Sequence, residues 1–179
     1  PVLTPAESKA ITDGYMKKRR RLSYRMKRLT AVTLADYMTG KINQTTSIVG
    51  LETIPADLGG VIITSNHFSP FENTAIRYLV QQAGLSRLNI ISQTSNFAMN
   101  GMVGFLMNYA DTIPISVDPR YLSRDFMAVL REKLVEKRET VLLYPEQEMW
   151  FNYRKPRPPK KGAYYYAARL QVPVLSCFV

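Results

Sequence analysis

The chain has 179 residues, 46% of them hydrophobic, and 24 Lys or Arg against 14 Asp or Glu, for a net charge of +10. This suffices for one full core with an appendage. A single cysteine excludes an intramolecular disulfide and agrees with a reducing compartment, where the sequon Asn43-Gln44-Thr45 would stay idle. No apolar run reaches the roughly 18 residues of a transmembrane helix, and the charged-then-apolar pattern of a secretory leader is missing from this span.

In chain order, residues 1–48 read as a basic helical segment. Residues 1–30 hold nine Lys or Arg against two acids. The run Lys17-Lys18-Arg19-Arg20-Arg21, continued by Arg25, Lys27 and Arg28, is interleaved with Leu22, Met26, Leu29 and Thr33 at helical spacing. Such a segment suits an anionic membrane surface, where each positive charge is worth about 1 kcal/mol. A solvated helix face and a nucleic-acid patch are the other readings.

From residue 49 to 179, strand-like and helix-like segments alternate. Gly60-Val61-Ile62-Ile63-Thr64-Ser65 reads as a buried strand, and Ser69-Pro70-Phe71-Glu72 as a helix start with Ser69 as N-cap and Glu72 completing a capping box. Leu88 to Ser92, Thr112 to Ser116 and Thr140 to Tyr144 read as further strands. An amphipathic helix is expected from about Ser123 to Lys137, with Phe126, Val129, Leu130 and Leu134 inward, and another from Lys161 to Leu170. The pattern predicts an α/β fold, a mostly parallel sheet with helices packed on it, preceded by the basic helical segment. The last residues, Leu175 to Val179, stop inside what reads as a strand, which predicts further chain beyond. Phe97, Met99, Met102, Phe105 and Met107 read as core packing or the lining of an acyl tunnel. Trp150, Phe151 and Tyr164-Tyr165-Tyr166 would touch lipid head groups or sit in an interior or interface.

The only histidine, His67, lies between the first strand and its helix, five residues before Glu72. Ligands collect at the carboxyl ends of strands in open α/β sheets, and the positive end of the helix dipole there disfavours an imidazolium. A general base and a loop histidine beside a capping glutamate are the two readings of that position.

The segment Asn66-His67 followed after four residues by Glu72 resembles the first block of the glycerolipid acyltransferase superfamily, the lysophosphatidate acyltransferase-like proteins, in which the carboxylate is aspartate. Upstream, Gly50-Leu51-Glu52-Thr53-Ile54-Pro55 is similar to the family's lead-in. Leu143-Tyr144-Pro145-Glu146 resembles its phenylalanine-proline-glutamate-glycine-threonine-arginine block, Lys161-Gly162-Ala163 its lysine-glycine-alanine step, and Val172-Pro173-Val174 its last apolar block. The resemblance covers residues 49–179 and implies an acyltransferase domain there.

It further implies His67 as base and Glu72 as its orienting acid. Asn66, Ser69, Pro145, Glu146, Gln147, Lys161, Gly162 and Arg120 would serve the substrate. No metal and no cofactor are implied; acyl-CoA or acyl carrier protein would be the co-substrate. The acceptor would be a lysophospholipid-like hydroxyl, 1-acylglycerol-3-phosphate by family default, and the enzyme would be peripheral on the cytoplasmic face of a membrane, with no nucleic-acid partner.

Two departures bear on the acceptor. Gln147, Glu148 and Met149 stand where the family has glycine, threonine and arginine, and Ser116-Val117-Asp118 replaces an arginine after the Ile113-Pro114-Ile115 strand. Those arginines are associated with acceptor phosphate, whose geometry a guanidinium matches. Arg120, Arg154, Lys155, Lys160 and Lys161 are the cations available to replace them. Ser69 is the other nucleophile candidate, set against its N-cap role, and Cys177 reads as core. A catalytically silent member of the fold that binds lipid is the remaining alternative to an enzyme.

Overall fold

The structure is a computed structural model that describes residues 3–153 and 155–179. Arg154, one of the cations considered above, lies outside the described residues. The described helices and strands run α1 (Pro5–Lys18), α2 (Leu22–Ile42), β1 (Val61–Thr64), α3 (Glu72–Gln82), β2 (Leu88–Gln93), α4 (Thr94–Phe97), α5 (Gly101–Tyr109), β3 (Thr112–Ile115), α6 (Met127–Arg131), β4 (Thr140–Leu143), α7 (Gly162–Leu170) and β5 (Val174–Ser176). The five strands form one parallel sheet in the order β3-β2-β4-β1-β5. The α/β class with a basic helical start is therefore as the sequence predicts.

The chain divides into two compact units. The first comprises the residues up to Tyr37 together with Ile90–Ala128. Thr4 caps α1 through a full capping box: its hydroxyl accepts the Glu7 N–H at 3.3 Å, and the Glu7 carboxylate accepts the Thr4 N–H at 2.8 Å. The basic run falls at the corner between α1 and α2 and is divided in use. Arg28 makes a two-pronged ion pair with the buried Asp111 at 2.6 and 2.9 Å, Lys18 donates to Asn108 Oδ1 at 2.6 Å, and Arg19 lies over the Tyr15 ring. Arg20, Arg21, Arg25 and Lys27 stay exposed, as does the line Leu22, Met26 and Leu29, each about two-thirds accessible. Core packing fails as a reading for Met99 and Met102, which are exposed, whereas Phe97 is buried.

The second unit comprises Met38–Asn89 and Val129–Val179. Its centre is β1, flanked by β4 and β5, with Val61 opposite Thr140 and Ile62 opposite both Val141 and Val174. All four residues of β1 and all four of β4 are buried, which explains continuous apolar runs rather than alternation. Gly60 is required just before β1: a Cβ there would overlap the Leu134 carbonyl. The helical run 121–136 begins and ends in π turns, and it buries Phe126, Val129, Leu130 and Leu134 as the periodicity predicts. Among the described residues, no helix is long and apolar enough to cross a membrane.

Candidate active site

The chain leaves β1 through Ser65 and Asn66 and reaches His67 before α3 begins. The helix starts at Glu72, two residues later than expected for Ser69 as N-cap. The reason is that only half of the capping box forms. The Glu72 carboxylate accepts the Ser69 N–H at 2.8 Å, but the Ser69 hydroxyl accepts the Phe71 N–H at 3.2 Å instead of the Glu72 N–H, so residues 69–71 make a turn.

That turn brings Glu72 back to the histidine. His67 Nδ1 and Glu72 Oε1 are 2.5 Å apart, the Glu72 side chain is fully buried, and the His67 side chain keeps 24% of its surface accessible. The ring thus sits on one carboxylate oxygen and the Ser69 N–H on the other. With Nδ1–H donating to Glu72, the Nε2 lone pair is left over, and no described residue bonds it.

Two residues not singled out from sequence complete the arrangement. The Tyr144 ring stacks on His67 with centroids 4.1 Å apart and an interplanar angle of 15°. Its hydroxyl is buried beside the Glu72 carboxylate, outside good hydrogen-bond geometry. Burial and the adjacent Glu72 charge hold that phenol well above its usual range, so it stays protonated. Arg157 is the other. It grips Glu146 with Nε at 3.1 Å, Nη2 at 2.8 Å and its own N–H at 3.0 Å, donates to the Glu148 carbonyl, and lies 4.5 Å from the Trp150 ring. Tyr144 was visible as a tyrosine in the family's phenylalanine position. Arg157 lies in the run Lys155-Pro156-Arg157-Pro158-Pro159, which reads as a short stiff loop beside the site by the family resemblance, but its pairing with Glu146 has no signal in the sequence.

Glu146 is therefore buried and paired with Arg157 rather than exposed as a free loop acid. Its Oε2 also accepts the His67 backbone N–H at 3.2 Å. Burial pushes its carboxyl up, but the hydrogen bonds from Arg157 and His67, with the guanidinium charge, carry it below its ordinary range. Asn66 is likewise spent on the backbone: its amide donates to the Val179 carbonyl at 3.0 Å and accepts the Val179 N–H at 2.8 Å. Pro145 accepts the Lys160 N–H at 2.8 Å. Gln147 takes a left-handed backbone (φ 67°) and is exposed; Lys161 is exposed at the N-cap of α7, followed by Gly162. These residues share the second unit with His67. Arg120 belongs to the first unit, exposed, its N–H on Asp118 Oδ1 at 2.9 Å.

Among the described residues no group of three or more His, Cys, Asp or Glu is placed to hold a metal ion. What the geometry can do is accept a proton at Nε2 while Glu72 holds the ring from behind. A family model described as Acyltransferase matches residues 45–179. The chain belongs to this acyltransferase family. The match identifies the chain with the glycerolipid acyltransferase superfamily, as its motifs suggest, and acyl transfer is the activity of that superfamily. No curated protein and no solved structure matches the chain.

For an acyltransferase, a histidine held in this way can act as a base, with no covalent nucleophile required. Cys177 is unsuited to that second role, since burial pushes its thiol up to about 11 and only a thiolate attacks well. The Ser69 hydroxyl is engaged with the Phe71 N–H.

Proposed function

We propose that this acyltransferase moves a fatty acyl group from acyl-CoA or acyl carrier protein to the hydroxyl of a lysophospholipid-like acceptor at an anionic membrane surface, on the cytoplasmic side. The default acceptor is 1-acylglycerol-3-phosphate, which would place the enzyme in phospholipid biosynthesis. The observation that carries the reading is the 2.5 Å contact between His67 Nδ1 and Glu72 Oε1 with Nε2 left over.

In this reading Nε2 takes the acceptor hydroxyl proton as its oxygen attacks the thioester carbonyl. Glu72 stabilises the imidazolium that forms. The tetrahedral intermediate collapses, the carbon–sulfur bond breaks, and the leaving thiolate receives the proton back from His67. General-base catalysis of this kind supplies about 10²- to 10⁴-fold. Membrane attachment is supported by the exposed line Leu22, Met26 and Leu29 close to the exposed cations Arg21 and Arg25, which suit an anionic interface.

One observation favours a second reading, a neutral hydroxyl acceptor. Arg157, the described arginine nearest in sequence to Met149, is committed to Glu146 and Trp150. The test is thiol release from an acyl thioester with a panel of phosphate-bearing and neutral lysolipids, for wild type and His67→Ala. Transfer to at least one acceptor, reduced about 10²- to 10⁴-fold in His67→Ala, is expected. No thiol release with any acceptor, with lipid binding equal in both proteins, would leave a silent lipid-binding member of the fold.

A further inference from the structure

The loop after β4 exposes large apolar side chains next to the catalytic histidine. Trp150 is 48% accessible, Phe151 70%, and Met149 and Tyr153 are also exposed; Phe71, in the turn before α3, is 59% accessible. Scattered exposed hydrophobics need no explanation, but one loop carrying four, with a fifth in the turn beside its anchor points, is a patch. The loop is anchored there: the Trp150 N–H donates to the His67 carbonyl at 3.1 Å, and the Asn152 N–H to the Phe68 carbonyl at 2.9 Å. A turn, Tyr153 N–H to Trp150 carbonyl at 3.0 Å, holds the aromatics together.

The same loop leads into exposed Lys155, Lys160 and Lys161. Indole and phenol rings flanked by ammonium groups are the chemistry of an anionic lipid interface: the amphipathic rings sit at head-group level and the cations meet phosphates. We propose an interfacial docking loop made of residues 149–153 and 155–161, with Trp150, Phe151 and Phe71 entering the head-group region of an anionic lipid surface and the three lysines on its phosphates. The segment carrying His67 is thereby held at the lipid by its own backbone hydrogen bonds. This rests on the reading that the enzyme works at a membrane, but it assigns contact to a different unit from the basic helices.

Trp150 is the chain's only tryptophan, so its fluorescence reports this loop alone. The experiment titrates the whole chain with vesicles of phosphatidylcholine containing phosphatidylglycerol, measuring co-sedimentation and Trp150 emission on the same samples, with brominated lipid as quencher. A blue shift and quenching that follow binding are expected. Phe151→Ser, checked for folding by circular dichroism, should raise the lipid concentration for half-saturation about 10-fold, the factor for withdrawing one aromatic ring from lipid. Binding with unchanged Trp150 emission would overturn the docking loop and leave membrane attachment through the helices standing. No binding to anionic vesicles would overturn both. Emission that is shielded without lipid and becomes exposed on dilution would assign the patch to a second copy of the chain and overturn the proposal.

Discussion

Replacing Glu72 by glutamine keeps the length and shape of the side chain while exchanging one acceptor oxygen for a donor, and the consequence follows from where the two oxygens point. Oε1 faces His67 Nδ1 at 2.5 Å and Oε2 faces the Ser69 N–H at 2.8 Å, inside a side chain with no accessible surface. In Glu72→Gln the single carbonyl oxygen can serve one of these positions. If it stays on the Ser69 N–H, the amide NH₂ donates to Nδ1 and the ring carries its proton on Nε2, where the base must be. If it turns to Nδ1, the NH₂ meets the Ser69 N–H, donor against donor, in a buried site.

The first arrangement satisfies both contacts, so the wrong tautomer prevails. The equivalent exchange in a serine protease triad costs about 10⁴ in kcat, and loss of a general base costs about 10²- to 10⁴-fold. Glu72→Gln should therefore lose about 10²- to 10⁴-fold in kcat for thiol release, with the double variant His67→Ala/Glu72→Gln hardly worse than His67→Ala, because the two residues act as one unit. Glu72→Asp keeps the charge and both acceptors and should exceed Glu72→Gln by at least about 10-fold. Thermal unfolding of each variant separates a chemical loss from a folding loss. Equal activity of Glu72→Gln and Glu72→Asp in folded proteins would refute the argument and reduce Glu72 to a tie for the turn.

Two further outcomes follow from buried polar groups. Tyr144→Phe removes a buried hydroxyl that lies beside the Glu72 carboxylate without good hydrogen-bond geometry and keeps the ring on His67, so it should leave stability in denaturant unfolding unchanged to within about 1 kcal/mol. A larger loss of stability would mean that the hydroxyl is bonded in solution. Glu139→Gln takes the carboxylate from Lys133, whose ammonium lies 2.9 Å from it with both side chains nearly inaccessible and Arg87 nearby. Stranding that charge should cost about 3–5 kcal/mol, read as a fall in the melting temperature; a loss below about 1 kcal/mol would show that the pair is dispensable.

The parts of the fold legible in the sequence are those fixed by neighbours in the chain. Val61–Thr64 is a strand because a short β-branched run is preceded by a glycine and followed by polar residues, and it forms inside the run 60–65 that the pattern predicts, one residue shorter at each end. The helical side chains Phe126, Val129, Leu130 and Leu134 share a face at helical spacing whatever surrounds them, and all four are buried. The pairing of His67 with Glu72 is local too, five residues apart. Illegible were the contacts that close over distance. Arg28 finds Asp111 across 83 residues, and Asn66 finds Val179 across 113. Nothing in the local pattern of Arg28 separates it from Arg25, which stays exposed, since both belong to one basic run. The start of α3 departs from the sequence pattern for a related reason: serine, proline and glutamate at capping-box spacing specify one bond of the box, and the Ser69 hydroxyl takes the Phe71 N–H instead of the second.

Glu146 shows how a motif residue can keep its place while its surroundings change. In the family block a guanidinium follows the glutamate closely in sequence, whereas here Met149 holds that position and the guanidinium comes from Arg157, eleven residues after Glu146. A carboxylate buried this far needs a cation, and Arg157 meets that need with a two-pronged grip that leaves Oε2 also holding the His67 N–H. The same grip commits the guanidinium, which additionally faces the Trp150 ring, so releasing Arg157 to an acceptor phosphate would strand a buried carboxylate and loosen the histidine backbone together. If the acceptor carries phosphate, its cations must come from side chains with no such duty, and in this unit Lys155, Lys160 and Lys161 are exposed ammonium groups at the same loop. Ammonium groups bind phosphate as point charges rather than as forks. Acceptor choice in this chain should therefore turn on charge more than on the geometry of the head group.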